Sequence, residues 1–256
     1  MSVRLVATEL GQGPPLAILH GLFGSSRNWA TVAKRLAERW RVIAFDLRNH
    51  GASPWADTMS YPEMAEDVRH ALAERGIERY AVLGHSMGGK AAMILALHGG
   101  ASVERLVVVD IAPVPYRPHH LDLLQAMQAL NLSSVHRRGE AEARLAAAIP
   151  DPGERAFLLQ NLVFAEGRAH WRINLSAIGR AMPDLVGFPD LPRDARYDGP
   201  ALFIAGSRSD YVLPEHEPAI RRLFPRSEIA HVENAGHWLH VEQPGAFLAL
   251  VERFLA

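Results

Sequence analysis

Gly84-His85-Ser86-Met87-Gly88 sets a serine between two glycines, where the apolar run YAVLGH (Tyr80 to His85) gives way to a helical stretch beginning at Met87. A strand turning sharply into a helix can hold a serine in a strained conformation with its hydroxyl exposed. The glycines two residues before and after remove side chains that would clash in so tight a turn. The free N–H groups of the new helix then face any negative charge that develops beside the serine, which makes the Met87 N–H a natural oxyanion donor. The second donor belongs in HGLFGS (His20 to Ser25), after the first buried strand, where the N–H of Leu22 or Phe23 is placed to serve.

A serine hydroxyl needs a base, and the base needs an orienting carboxylate. His237, in NAGHWLH, follows the last strand and precedes the C-terminal helix, so a loop there can return its imidazole to Ser86. His240 lies toward that helix and is expected to pack or face solvent. Two aspartates could orient His237. Asp110 ends RLVVVD, the strand after the nucleophile strand, and Asp210 lies just past ALFIAG, in GSRSDYVLP. Either gives the chain order Ser, Asp, His, and the residues alone leave both open. Phe23, His85, Trp171 and Trp238 are the side chains expected against a substrate. Asp46, Arg48 and His50, in DLRNHGASP, read as residues that fix a loop, as does His20. Lys90 reads as a solvated or salt-bridged lysine. The adjacent pair His119-His120 offers no metal-ligand spacing.

These residues need a frame. LAILH, RVIAFD, YAVLGH and RLVVVD are short Val/Ile/Leu-rich runs separated by helical stretches, and each ends at a polar residue: His20, Asp46, His85, Asp110. Such runs indicate a mostly parallel sheet with helices on both faces, whose ligands bind beyond the carboxyl ends of the strands. The alternation stops in PVPYRPH, continues as helical segments without a strong strand run from about His119 to Asp194, and resumes at ALFIAG and EIAHVENAG. We therefore read an α/β core formed by residues 1–114 and 196–256, interrupted by a helical cap insertion at 115–195.

The 256 residues carry a formal net charge of −1, with 48% hydrophobic and 21% charged residues, so no basic excess exists to neutralise nucleic-acid phosphates. There are no cysteines, which removes disulfides, thiolate metal sites and a cysteine nucleophile. No apolar run is long enough to span a membrane, and the N-terminus lacks the apolar stretch of a signal peptide. The expectation is a cytoplasmic protein, monomeric or homodimeric, acting on a small molecule without a cofactor.

HGLFGSSRNW, DLRNHGASP, GHSMGGKAAM, VVVDIAPV, NLVFAEGRAHWRINL and NAGHWLHVEQP together resemble the α/β-hydrolase superfamily over nearly the whole chain. Within it they are similar to the small bacterial YbfF-type carboxylesterases and their mitochondrial relatives. The resemblance implies a serine esterase that cleaves acyl esters, with acyl-CoA thioesters as a further substrate class, and no cofactor. It also implies that the acid is Asp110, whereas the generic superfamily position corresponds to Asp210. The serine argues against haloalkane dehalogenases and epoxide hydrolases, which need a carboxylate nucleophile. Carbon–carbon bond hydrolases and perhydrolases share the triad, and a non-catalytic hydrolase-like ligand receptor is a third class, marked by slow turnover and tight binding.

Overall fold

A computed structural model describes residues 2–117 and 120–256. Seven strands form the main sheet: β1 (Ala7–Leu10), β2 (Pro15–Leu19), β3 (Arg41–Phe45), β4 (Tyr80–His85), β5 (Val103–Val109), and, later in the chain, β8 (Ala201–Gly206) and β9 (Ser227–Val232). Their spatial order is β1-β3-β2-β4-β5-β8-β9. Only the edge strand β1 runs antiparallel, against β3. The others are parallel, which explains their unbroken apolar runs: both faces of the sheet are covered.

Successive side chains of a strand point to opposite faces, and the two layers of core follow from this. On one face Ile18, Ala44, Leu83, Val109 and Ile204 pack under α1 (Ala30–Leu36) and the C-terminal helix. On the other, Leu19, Phe45, Val82, Val108 and Phe203 pack under α2 (Tyr61–Ala73) and α3 (Met87–Gly99). From Met87 to Ala96 every residue of α3 is buried, as expected of a helix that is apolar nearly all round.

Between β5 and β8 lie α4 (His120–Ala129), α5 (Arg138–Leu145), α6 (Pro152–Leu159), a hairpin of β6 (Leu162–Ala165) and β7 (Arg168–Trp171), and α7 (Leu175–Val186). The hairpin corrects the reading of this stretch as helical segments without a strong strand run. Its turn is Glu166-Gly167, both with positive φ (51° and 74°), the geometry that two-residue hairpins need. Glu-Gly is a weaker turn signal than Asn-Gly, and a four-residue apolar run does not distinguish a strand from a helix end. After β8 come α8 (Glu217–Leu223), then α9 (Leu239–Glu242) and α10 (Pro244–Leu255) beyond β9. Among the described residues no helix is long and apolar enough to cross a membrane.

The turn after β3 is built on buried charge. Arg48 Nε and Nη2 donate to Asp67 on α2 at 2.6 and 2.9 Å, and Nη1 lies 3.0 Å from Glu63. Arg48 and Asp67 are 1% and 0% exposed. Asp67 also accepts the Val3 N–H at 2.8 Å, so one carboxylate ties the N-terminal segment, the turn and α2 together. Breaking a buried pair from one side leaves the other charge unpaired. Asp67→Ala should therefore lower unfolding stability by about 3–5 kcal/mol in denaturant titration, with exposed Asp57→Ala as a control that leaves the midpoint in place.

Candidate active site

β2 and β4 are neighbours in the sheet, and their carboxyl ends carry the serine turn and the loop facing it. Ser86 has φ 52° and ψ −118°, a left-handed conformation that few L-residues adopt. The two glycines are required by contact. A Cβ on Gly84 would lie 2.1 Å from the Gly88 carbonyl oxygen, and one on Gly88 would lie 2.4 Å from that of Leu19. Met87 opens α3, so its N–H has no partner within the helix.

The loop from His20 to Ser25 separates the two candidates for the second donor. Phe23 is in the left-handed region (φ 62°), and its N–H donates to His50 Nε2 at 3.2 Å. That N–H is already engaged, which counts against Phe23 as an oxyanion donor. The Leu22 N–H makes no hydrogen bond with the described residues. The Phe23 side chain faces the cavity instead. His50 Nδ1 donates to the Arg48 carbonyl at 3.0 Å, and His20 Nδ1 to the Gly21 carbonyl at 2.8 Å, while His20 Nε2 accepts from the Leu47 N–H at 3.0 Å. Asp46 accepts from the N–H groups of Ser26 and Ala52 at 2.7 and 2.8 Å. Burial works against its charge, but these N–H donors, the Ser26 side chain and nearby His20 together hold its carboxyl below the ordinary range. These residues fix loops, as their sequence positions suggest.

His237 Nδ1 donates to Asp110 Oδ2 at 2.7 Å. Asp110 is completely buried, and it also accepts from the Gly206 N–H (3.0 Å) and the Ser209 hydroxyl (2.5 Å). Asp210 is exposed and lies one residue beyond Ser209. The ring of Tyr211 stacks on that of His237 at 4.1 Å and 25°. His85 Nε2 donates to the His237 carbonyl at 2.9 Å, which pins the loop that carries the imidazole. Sequence reasoning treated the 209–211 stretch as a source of an acid and so missed Ser209 and Tyr211. It also missed Asn161, a buried asparagine inside NLVF whose Nδ2 donates to the Phe23 carbonyl at 2.7 Å; a polar residue within an apolar run was the available signal.

Ser86, His237, His85, Phe23 and Trp238 all line one cavity of about 1010 Å³. The inserted segment contributes Leu123, Ile149, Phe157 and Leu158 to its wall. Trp171 does not reach the cavity: it is core, with Nε1 donating to the Met127 carbonyl at 3.2 Å. Leu124 and Met127 are core as well, and Phe164 is exposed on the hairpin. His119 lies outside the described residues, and His120 lines the cavity. His240 is buried and stacks on Trp29 at 4.2 Å, fulfilling the packing alternative.

Lys90 overturns its reading as a solvated or salt-bridged lysine. It is 1% exposed, donates to the carbonyls of Val186 (3.2 Å) and Gly187, and lies 4.8 Å from the centre of the Tyr116 ring. Burial pushes its amine down to about 7. The sequence reading failed because α3 is covered on all sides, so its fourth residue has no route to solvent.

A family model described as alpha/beta hydrolase fold matches residues 14–244. The mouse (Mus musculus) protein named sn-1-specific diacylglycerol lipase ABHD11 is 42% identical over 95% of this chain and 81% of its own length. Esterase YbfF of Escherichia coli strain K12 is 36% identical over 94% of this chain and 92% of its own. A solved structure titled "Marine microorganism esterase" superposes with a TM-score of 0.96, at 36% identity over 99% of this chain and 100% of that one.

Burial makes the neighbouring imidazoles poor proton acceptors. It holds His20 below its ordinary range and His85 well below it, and it pushes His50 down to about 3 and His240 to about 4, where His237 adds to the effect. The unfolded chain takes up these protons as pH falls below about 6.5, and the folded chain does not. Stability is therefore full above that pH and declines steadily toward pH 4. His240→Phe keeps a ring on Trp29 and removes one proton site, so denaturant midpoints measured from pH 7.5 to 4.5 should fall less steeply in that variant.

Proposed function

The chain belongs to the alpha/beta hydrolase fold family, and from that premise we propose how it works as a carboxylic-ester hydrolase: Ser86 is the nucleophile, His237 the general base and acid, and Asp110 the orienting carboxylate. The observation that carries this reading is the 2.7 Å bond between His237 Nδ1 and Asp110, at a cavity whose wall includes Ser86. With Nδ1 donating to Asp110, Nε2 is the nitrogen left to take the Ser86 proton.

In the first step the Ser86 oxygen attacks the ester carbonyl while its proton passes to His237 Nε2. The carbonyl oxygen becomes an oxyanion held by the N–H groups of Met87 and Leu22, each worth on the order of 3 kcal/mol in the transition state. Collapse of this intermediate breaks the bond to the alcohol oxygen, which takes the proton from His237 and leaves an acyl-enzyme. Water then attacks the acyl carbon, giving a proton to Nε2, and the acid departs as Ser86 recovers its own. The Asp110 carboxylate stabilises the imidazolium, with the Gly206 N–H and the Ser209 hydroxyl donating to it.

The segment 115–195 serves as a cap over this centre. Leu123, Ile149, Phe157 and Leu158 give the cavity an apolar wall that suits the hydrocarbon part of an ester. Trp238 packs against Phe157 at 5.3 Å, closing the wall from the base loop.

Turnover of p-nitrophenyl acetate, butyrate and octanoate tests the assignment. Ser86→Ala should abolish it at every chain length. Asp110→Asn should cut kcat by about 10³–10⁴, by analogy with loss of the triad carboxylate elsewhere, while Asp210→Asn stays within about twofold, as expected of an exposed side chain. Equal losses in the two aspartate variants would overturn the choice of acid, and turnover surviving Ser86→Ala would overturn the nucleophile.

A further inference from the structure

At the end of α7, near where the chain leaves the inserted segment, the carbonyls of Leu185, Val186 and Gly187 accept from Tyr61, Lys90 and Tyr116. The Tyr61 hydroxyl of α2 donates to the Leu185 carbonyl at 2.5 Å. The Val186 carbonyl accepts twice, from Lys90 Nζ at 3.2 Å and from the Tyr116 N–H at 2.8 Å. The Gly187 carbonyl accepts from Lys90 Nζ. Tyr116 lies where the chain enters the same segment, so the entry and exit crossings are joined at one carbonyl, and Lys90 fastens that junction to the helix that begins at Met87.

The same knot reaches the imidazole. The Tyr116 ring lies under Lys90 Nζ, and its hydroxyl accepts the Ala112 N–H (2.8 Å) and donates to the Tyr211 carbonyl (2.5 Å). The Tyr116 and Tyr211 rings pack at 5.2 Å, and Tyr211 in turn stacks on His237. Lys90, Tyr116 and Tyr211 also line a small second cavity of about 30 Å³ behind Ser86.

We propose that Lys90 is a positioning residue: it locks both crossings of the cap onto the nucleophile helix and, through Tyr116 and Tyr211, sets the place of the His237 ring. An aliphatic side chain would fill this site without the penalty of burying an amine. What the amine supplies is direction. Helix C-termini present carbonyls that favour a cationic or N–H donor, and two carbonyls from one crossing fix the approach of the other. The Tyr61 and Tyr116 rings, 5.6 and 4.8 Å from Nζ, present the electron-rich side of their π systems to it.

The proposal rests on the triad reading above, and two kinds of measurement keep their failures apart. The first needs no turnover. Lys90→Met preserves length and apolar bulk, so its melting temperature should equal or exceed that of the wild type. Its amide hydrogens at Tyr116 and Gly187, which belong to the two crossings, should nevertheless exchange at least tenfold faster. The second measurement uses p-nitrophenyl acetate and octanoate. Lys90→Met should lose about tenfold in kcat on both, through the displaced imidazole, and raise KM further on octanoate, which reaches the cap wall. Tyr116→Phe keeps the ring and the N–H bond to Val186 but removes the hydroxyl tie to Tyr211. It should lower kcat severalfold and leave the KM for octanoate unchanged. The double variant should lose less kcat than the product of the two single losses. Unchanged exchange and unchanged kinetics in Lys90→Met would overturn the proposal. So would activity losses in both variants that merely follow a lowered melting temperature. A wild type without Ser86-dependent turnover would overturn the triad reading while leaving the exchange result to decide the lock.

Discussion

The close approach of one helix terminus to two strand ends governs the rest of the site. Gly88 leaves room for the carbonyls of Leu19 and His20, and Gly84 for the carbonyl of Gly88. These contacts press the start of α3 onto the end of β2, and the chain meets that demand by placing Ser86 at φ 52°. Strain of this kind, on the order of 1–3 kcal/mol, persists only where the surroundings over-determine it. Here they do: Ser86 N–H is bonded to the Val109 carbonyl and its own carbonyl to the Lys90 N–H. The same approach brings the Met87 N–H beside the loop that holds Leu22. One steric constraint thus sets Ser86 and the Met87 N–H, the proposed oxyanion donor, together.

Burial then sorts the histidines around the cavity. His20, His85 and His240 are depressed by desolvation, so at neutral pH they are fixed neutral donors and acceptors. His20 and His85 hold loops in that capacity. His237 is only partly buried and carries a carboxylate on its Nδ1. A proton leaving Ser86 therefore finds one imidazole with a carboxylate directly on its Nδ1 and several whose charged forms burial disfavours. This contrast, more than proximity alone, assigns the base its part in the proposed reaction. A positive charge on any of the others would also repel the His237 imidazolium, as the mutual effects of His85, His237 and His240 indicate.

The sheet was legible because its strands are apolar without interruption and end at polar residues, a pattern set by burial on both faces. Ser86 and His237 were legible because their neighbours, Gly84, Gly88 and the loop before α9, have backbone requirements visible in the sequence. Long-range side-chain contacts left no such trace. Lys90 looks like a surface residue until α3 is seen to be covered on every side. Trp171 looks like a pocket residue until its Nε1 is found on the Met127 carbonyl. The β6–β7 hairpin hid because its strands are four residues each and its turn is Glu-Gly. In each case the deciding partner lies more than 40 positions away in the chain or in a neighbouring element, beyond the reach of periodicity.

The two candidate acids show why position along a strand does not by itself choose a carboxylate. β5 and β8 are adjacent and parallel, with Val109 opposite Ile204, so Asp110 and the loop after β8 leave the sheet at the same edge. Asp110 turns at φ 52°, and its N–H is held by the Ile204 carbonyl at 2.8 Å. Its side chain is thereby aimed at the start of the neighbouring loop, whose Gly206 N–H and Ser209 hydroxyl converge on it. A buried carboxylate needs such donors to remain ionised. The loop after β8 supplies them, and a loop that donates to a neighbour's carboxylate cannot also turn its own aspartate into the same space. Asp210 is left in solvent by the geometry that stabilises Asp110. An orienting carboxylate at position 210 would require new donors as well as a new direction, since the existing ones already point the other way.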